Sequence, residues 1–152
     1  MILLKPQTLL AAACAAFLAA CSPGQTAEPA QRLAEAAAAG TPLYGHQDDL
    51  MYGHSWNANL ETAPDLTRSD VKDACGHYPA ILGLDMGGIE LGDARNLDGN
   101  DFALMREAAI AHHARGGIVS LSWHLRNPLT GGDAWDVSSD KVVASVLRRT
   151  EA

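Results

Sequence analysis

Apolar residues come along this chain in short runs, and each run gives way to a polar, glycine-rich stretch. Three segments share that layout: residues 42–47, 80–88 and 117–124. The second, Ala-Ile-Leu-Gly-Leu-Asp, and the third, Gly-Ile-Val-Ser-Leu-Ser-Trp-His, are too short for helices and suit strands covered on both faces in a parallel sheet. Between them the period changes. Phe102, Met105, Ala109, Ile110 and His113 recur at three and four residues, Asp98 is available as a cap, and Gly116-Gly117 marks the stop. A shorter helix is predicted over 69–75, capped by Ser69 or Asp70, and residues 138–147 read as the start of another. The order strand, long loop, helix, strand, loop, helix, strand predicts right-handed βαβ units.

The N-terminus follows a different pattern. One positive charge, Lys5, precedes an Ala- and Leu-dominated stretch over 9–20, the layout of an export signal and too short to span a bilayer. Leu18-Ala19-Ala20-Cys21 resembles a bacterial lipobox, which implies cleavage before Cys21 and its acylation. Ser22 beside it implies sorting to the outer membrane, facing the periplasm or the cell surface. An ordinary signal peptide with Cys21 incidental is the alternative, and it predicts a soluble secreted product. The expected organisation is therefore a signal peptide over 1–20, a tether with a short helix over 21–40, and a folded body over 41–152. Within the tether, residues 22–30 have linker composition, and the Ala-rich helix over 31–39 is stopped by Gly40.

Composition narrows the partners. The 152 residues suit one modest domain, are 47% apolar and 19% charged, and carry a net charge of −7. No Lys/Arg stripe with interleaved aromatics exists, so nucleic acid is excluded as a partner. Neutral polysaccharides are compatible with this acidity. Of the three cysteines, Cys14 falls in the signal and Cys21 in the lipobox, which leaves Cys75 without a disulfide partner.

The polar residues cluster just after each predicted strand. His46, Gln47, Asp48 and Asp49 follow the first, Asp85 and Glu90 the second, and Trp123, His124 and Asn127 the third. A β/α barrel builds its active site on that face, and a doubly wound sheet uses the same edge, so placement alone leaves both open.

Three ordered blocks decide between them. Tyr44-Gly45-His46-Gln47-Asp48-Asp49-Leu50, then Tyr78-Pro79-Ala80 leading to Asp85-Met86-Gly87-Gly88-Ile89-Glu90, then Ser122-Trp123-His124-Leu125-Arg126-Asn127-Pro128-Leu129-Thr130-Gly131-Gly132 resemble glycoside hydrolase family 26. The resemblance covers about residues 42–145. It implies an α/β fold, namely the N-terminal portion, about three βα units, of a TIM-type (β/α)8 barrel that is incomplete here. It also implies retaining, endo-β-1,4-mannanase-like hydrolysis of β-mannan or a related β-linked polysaccharide. That mechanism needs an acid/base glutamate after strand four and a nucleophile after strand seven, about 5 to 5.5 Å apart. The family's Arg-Pro-x-x-His-Glu block, which holds the acid/base, does not occur in the sequence. Both glutamates are expected beyond residue 152, so this chain by itself is expected to be inactive. From another class, the alternative is a non-catalytic surface lipoprotein or sugar-binding fragment.

The resemblance makes His124 a sugar-binding residue beside the acid/base, against the plainer role of a loop histidine satisfying backbone groups. Trp135, among glycines, offers an indole face for a pyranose ring or is simply an exposed tryptophan. His46, Asp48 and Asp49 either bind hydroxyls or hold a turn. Asp85 and Glu90 are expected to touch substrate, position His124 or hold the loop, rather than form the catalytic pair. Asn127-Pro128 shapes the loop, and His112 and His113 are expected at the surface or core edge. Without Cys-x-x-Cys or His-Glu-x-x-His spacing, neither metal nor cofactor is expected, even with His46, Asp48 and His124 available as ligands.

Overall fold

A computed structural model describes residues 28–147, so the signal segment over 1–20, Cys21 and residues 22–27 of the tether lie outside the described residues. The chain divides into two compact units at Glu35/Ala36, inside the first helix. That helix, α1 (Pro29–Ala39), buries none of its residues. Pro29 opens it, where a missing N–H costs nothing, and Gly40 at φ 63° ends it.

The second unit is built on three parallel strands in the order β1 (Gly45–Gln47), β4 (Ile81–Asp85), β5 (Ile118–Ser122). Gly45 pairs with Ile81, and Ile81 in turn with Ile118, so the strands run in register to their C-terminal ends. The sheet is open, and β5 is an edge among the described residues. Side chains alternate across each strand. Leu82, Leu84 and Val119 turn to one face, where Leu82 and Leu84 join Leu50, Met51, Met105 and Ala108 in the core. Gln47, Gly83, Asp85 and Ser122 share the other. Only β4 is covered as the sequence predicts; along β5 burial stops after Val119 and Leu121 is 64% exposed, because no further strand among the described residues flanks it.

Helix α3 (Phe102–Ala114) packs on β4 and β5. Its buried face is Met105, Ala108 and His112, whereas Ile110 and His113 point to solvent. The inward stripe is thus rotated from the expected one, and His112 packs so tightly on Gly117 that a Cβ there would lie 2.0 Å from its Nε2. The cap also differs from expectation. Asp101, not Asp98, accepts from the amides of Ala103 and Leu104 at 2.9 and 3.2 Å. The cause is a closed loop before the helix: Asn96 Oδ1 accepts from the Asp98 and Asn100 amides, and the Asn96 amide donates back to the Asn100 carbonyl. Those bonds use up the residues from which an earlier first turn would start.

Helix α2 (Asp70–Cys75) is capped by Ser69 and ended by Gly76 at φ 83°. Before it lies a small antiparallel hairpin, β2 (Tyr52–Gly53) with β3 (Trp56–Asn57), which sequence periodicity does not reveal. Asp70 fastens it, accepting from Trp56 Nε1 at 2.9 Å and the His54 amide at 2.5 Å. A final helix, α4 (Val142–Leu147), begins later than position 138.

Candidate functional site

Asp85 is the last residue of β4 and ends on the polar face of the sheet. Its side chain is buried at 3% exposure. Four donors converge on it. Oδ1 accepts from the Gly87 amide at 2.7 Å and the His124 amide at 3.4 Å; Oδ2 accepts from Ser122 Oγ at 2.6 Å and lies 2.5 Å from His124 Nδ1. Burial alone would raise this carboxyl, but the bonds from Ser122, Gly87 and His124 outweigh it and hold the pKa at about 2. An ionised carboxylate only accepts, so Nδ1 of His124 carries hydrogen and, in the neutral ring, Nε2 presents its lone pair outward. Asn96 completes the support by donating from Nδ2 to the Asp85 carbonyl at 3.0 Å.

Glu90 sits in the loop after β4 and works across to the loop after β5. Oε1 accepts from the Arg126 amide at 3.0 Å, and Oε2 from Trp123 Nε1 at 3.1 Å and the Gly88 amide at 3.0 Å. The Arg126 amide first, then the Trp123 indole, hold its pKa at about 2. Asn127 folds the next turn: its Oδ1 accepts from the Leu129 and Thr130 amides, and its Nδ2 donates to the Asp136 carbonyl. This turn carries Trp135, 78% exposed, to a ring-centroid distance of 6.0 Å from His124 with the planes inclined at 37°.

The result is a cavity of about 650 Å3 at the C-terminal ends of the strands, walled by Asp85, Ser122, His124 and Trp135 together with Gln47, Asn96, Asp98 and Arg126. Of the five sequence-derived contact candidates, the structure brings together Asp85, His124 and Trp135. Glu90 does not line the cavity; its carboxylate is taken up by the two loops. His46 is placed elsewhere. It pairs with Leu82 on the opposite face of the sheet, in a separate cavity with Tyr44, Asp70 and Tyr78, its Nδ1 3.1 Å from Asp49 Oδ1. Strand alternation makes Gln47, its neighbour, the residue that faces the site. Ser122, Asn96, Asp98 and Arg126 join it at the cavity, none of them a site candidate from the sequence. Ser122 ends β5 two residues before His124, a visible signal; the loop residues carry none. Asp48 and Asp49 are both 1% exposed. No group of three or more His, Cys, Asp or Glu side chains among the described residues is placed to hold a metal.

A parallel βα sheet with a polar cavity at its C-terminal strand ends, holding a carboxylate-anchored histidine beside an exposed indole, has the layout of part of a β/α barrel with its site on that face. The chain belongs to glycoside hydrolase family 26: the family model described as Glycosyl hydrolase family 26 matches residues 41–150. Among solved structures, the GH26 β-mannanase BoMan26A from Bacteroides ovatus is 51% identical with a TM-score of 0.62, over 70% of this chain and 29% of that one. A modular endo-β-1,4-mannanase from Cellulomonas fimi is 31% identical, over 68% and 23% of the two chains, with a TM-score of 0.51. The catalytic domain of a GH26 endo-β-1,4-mannanase from Bacillus sp. JAMB-750 is 32% identical, over 68% and 27%, also at 0.51. No curated protein matches the chain significantly. The chain thus spans under a third of the length of these solved relatives, and its sheet is the open, partial form of their barrel.

Proposed function

We propose that this chain supplies the first βα units of a retaining endo-β-1,4-mannanase and contributes the sugar-binding side of its cleft, the two glutamates being supplied by sequence that follows residue 152. The observation that carries this reading is the Asp85–His124 pair at the strand ends, ionised carboxylate to Nδ1–H, beside Trp135. His124 Nε2 can then accept from a sugar hydroxyl or from the acid/base, and the indole can cover the apolar face of a pyranose ring. Membership of family 26 over residues 41–150 and 51% identity to a GH26 β-mannanase over 70% of the chain support the substrate class.

Sequencing downstream of codon 152 tests the reading. A continuing frame that carries Arg-Pro-x-x-His-Glu is the expected result, and a stop codon would favour a non-catalytic surface lipoprotein. The continued protein should release reducing ends from galactomannan, while residues 1–152 alone should release none. In that continued protein, His124→Ala should lower kcat/KM at least about tenfold, roughly 1.4 kcal/mol of transition-state stabilisation. Unchanged kinetics in that variant would remove His124 from the site.

The proposal extends to the cell. From Leu18-Ala19-Ala20-Cys21, the mature protein is lipid-anchored, so it should partition with membranes and incorporate labelled palmitate. Cys21→Ala should abolish both, and labelling that survives the substitution would favour a soluble exported form.

A further inference from the structure

Gln47 ends β1 directly opposite Gly83 on β4. A Cβ built on Gly83 would lie 2.3 Å from Gln47 Oε1 and 3.3 Å from its Cδ, so the glutamine side chain lies across the neighbouring strand in the space that any other residue at position 83 would fill. From there it reaches the cavity wall beside Asp85, Ser122 and His124. The residue is exposed, and no hydrogen bond to a described residue takes up its amide. A side-chain amide holds a fixed acceptor and two donors side by side, a spacing that matches two adjacent hydroxyls of a sugar ring, one donating to Oε1 and the other accepting from Nε2. The charged side chains around it are Asp85, Asp93, Asp98 and Asp133 against Arg95 and Arg126, an excess of negative charge that disfavours uronic acids and suits a neutral glycan.

We infer that Gln47 is a hydroxyl-recognising residue of this cavity, spanning a vicinal diol of a neutral β-linked sugar, and that Gly83 is glycine because it admits that side chain. The inference rests on the reading of the cavity as a sugar site and adds to it a residue, a ligand pattern and the reason for a glycine in the middle of a strand.

Titration of the full 152-residue chain with mannotetraose, followed by tryptophan fluorescence and calorimetry, tests it. Gln47→Leu should weaken binding about tenfold, and Gln47→Glu, which keeps acceptors but loses the donors, should fall between. Gly83→Ala should weaken binding about as much as Gln47→Leu, and the double variant should be no weaker than either alone, because both act through one side chain. Far-UV circular dichroism identical to that of the wild-type chain excludes unfolding as the cause. Wild-type binding with Gln47→Leu within about twofold of it would overturn the assignment of Gln47 and leave the sugar site standing. A folded wild-type chain that does not bind mannotetraose would overturn both.

Discussion

Asp85→Asn is expected to cost the fold about 2 kcal/mol at pH 7 and progressively less as the pH falls from about 4 to about 2. The wild-type carboxyl is held near 2 against an ordinary 3.8, since the bonds from Ser122, Gly87 and His124 outweigh its burial. A depressed folded pKa means that the ionised form is favoured by folding. Its contribution is complete above the unfolded value and lost as the pH drops through the folded one. Asparagine keeps the shape but turns a donor toward Ser122 Oγ and His124 Nδ1–H, which both donate to Asp85 now. One of these must reorganise or go unsatisfied in a buried place. The histidine can do so by moving its proton to Nε2, which would replace the outward acceptor with a donor. Urea unfolding at a series of pH values reads the stability difference directly. A difference that stays constant from pH 7 to pH 2.5 would mean that the site does not favour the charged carboxylate.

That carboxylate was visible in the sequence as a polar residue closing an apolar run, and so was His124; their direct bond was not, because residues 39 positions apart reveal no register. The sheet itself was legible, since three apolar runs separated by helical periods leave little choice of connection. Its two faces differ more than apolar runs alone suggest. An apolar run predicts burial on both sides, which β4 shows and β5 does not beyond Val119. Yet Leu82, Leu84 and Leu121 alternate with Gly83, Asp85, Ser120 and Ser122, and that period of two already separates a core face from a site face. Carried to β1, the same period puts Gln47 rather than His46 on the site face. What could not be read is local. Two-residue strands carry no period, so the hairpin at Tyr52–Gly53 and Trp56–Asn57 is invisible until Asp70 is seen to fasten it. The start of α3 was set by side-chain bonds from Asn96, which no propensity scale contains.

Asp48→Asn is expected to do the reverse of Asp85→Asn, stabilising the fold by on the order of 3 kcal/mol at pH 7 and by nearly nothing at pH 4. Asp48 follows β1 with φ 54°, a left-handed conformation that asparagine adopts as readily as aspartate. The residue is 1% exposed, its Oδ1 meets no hydrogen-bond partner, and Tyr52 approaches Oδ2 only at 3.5 Å. Burial first, and then the charge of Asp98, raise its pKa from 3.8 to about 6 despite the lowering effect of Asn100 and Tyr52. With the folded value raised, the protonated form is favoured by folding. Its contribution is present below the unfolded value and lost as the pH climbs through 6, so above that the chain carries a buried charge it does not compensate. The asparagine variant never ionises. Its advantage in thermal midpoint should therefore grow between pH 4 and pH 7 and then level off. An advantage equal at both ends would place its origin in backbone conformation rather than in charge. Together the two aspartates bend the stability of the wild-type chain in opposite directions: Asp85 adds to it as pH rises from 2 to 4, and Asp48 subtracts between 4 and 6. Between them, these two groups favour stability near pH 4, and each substitution should flatten its own side of that dependence.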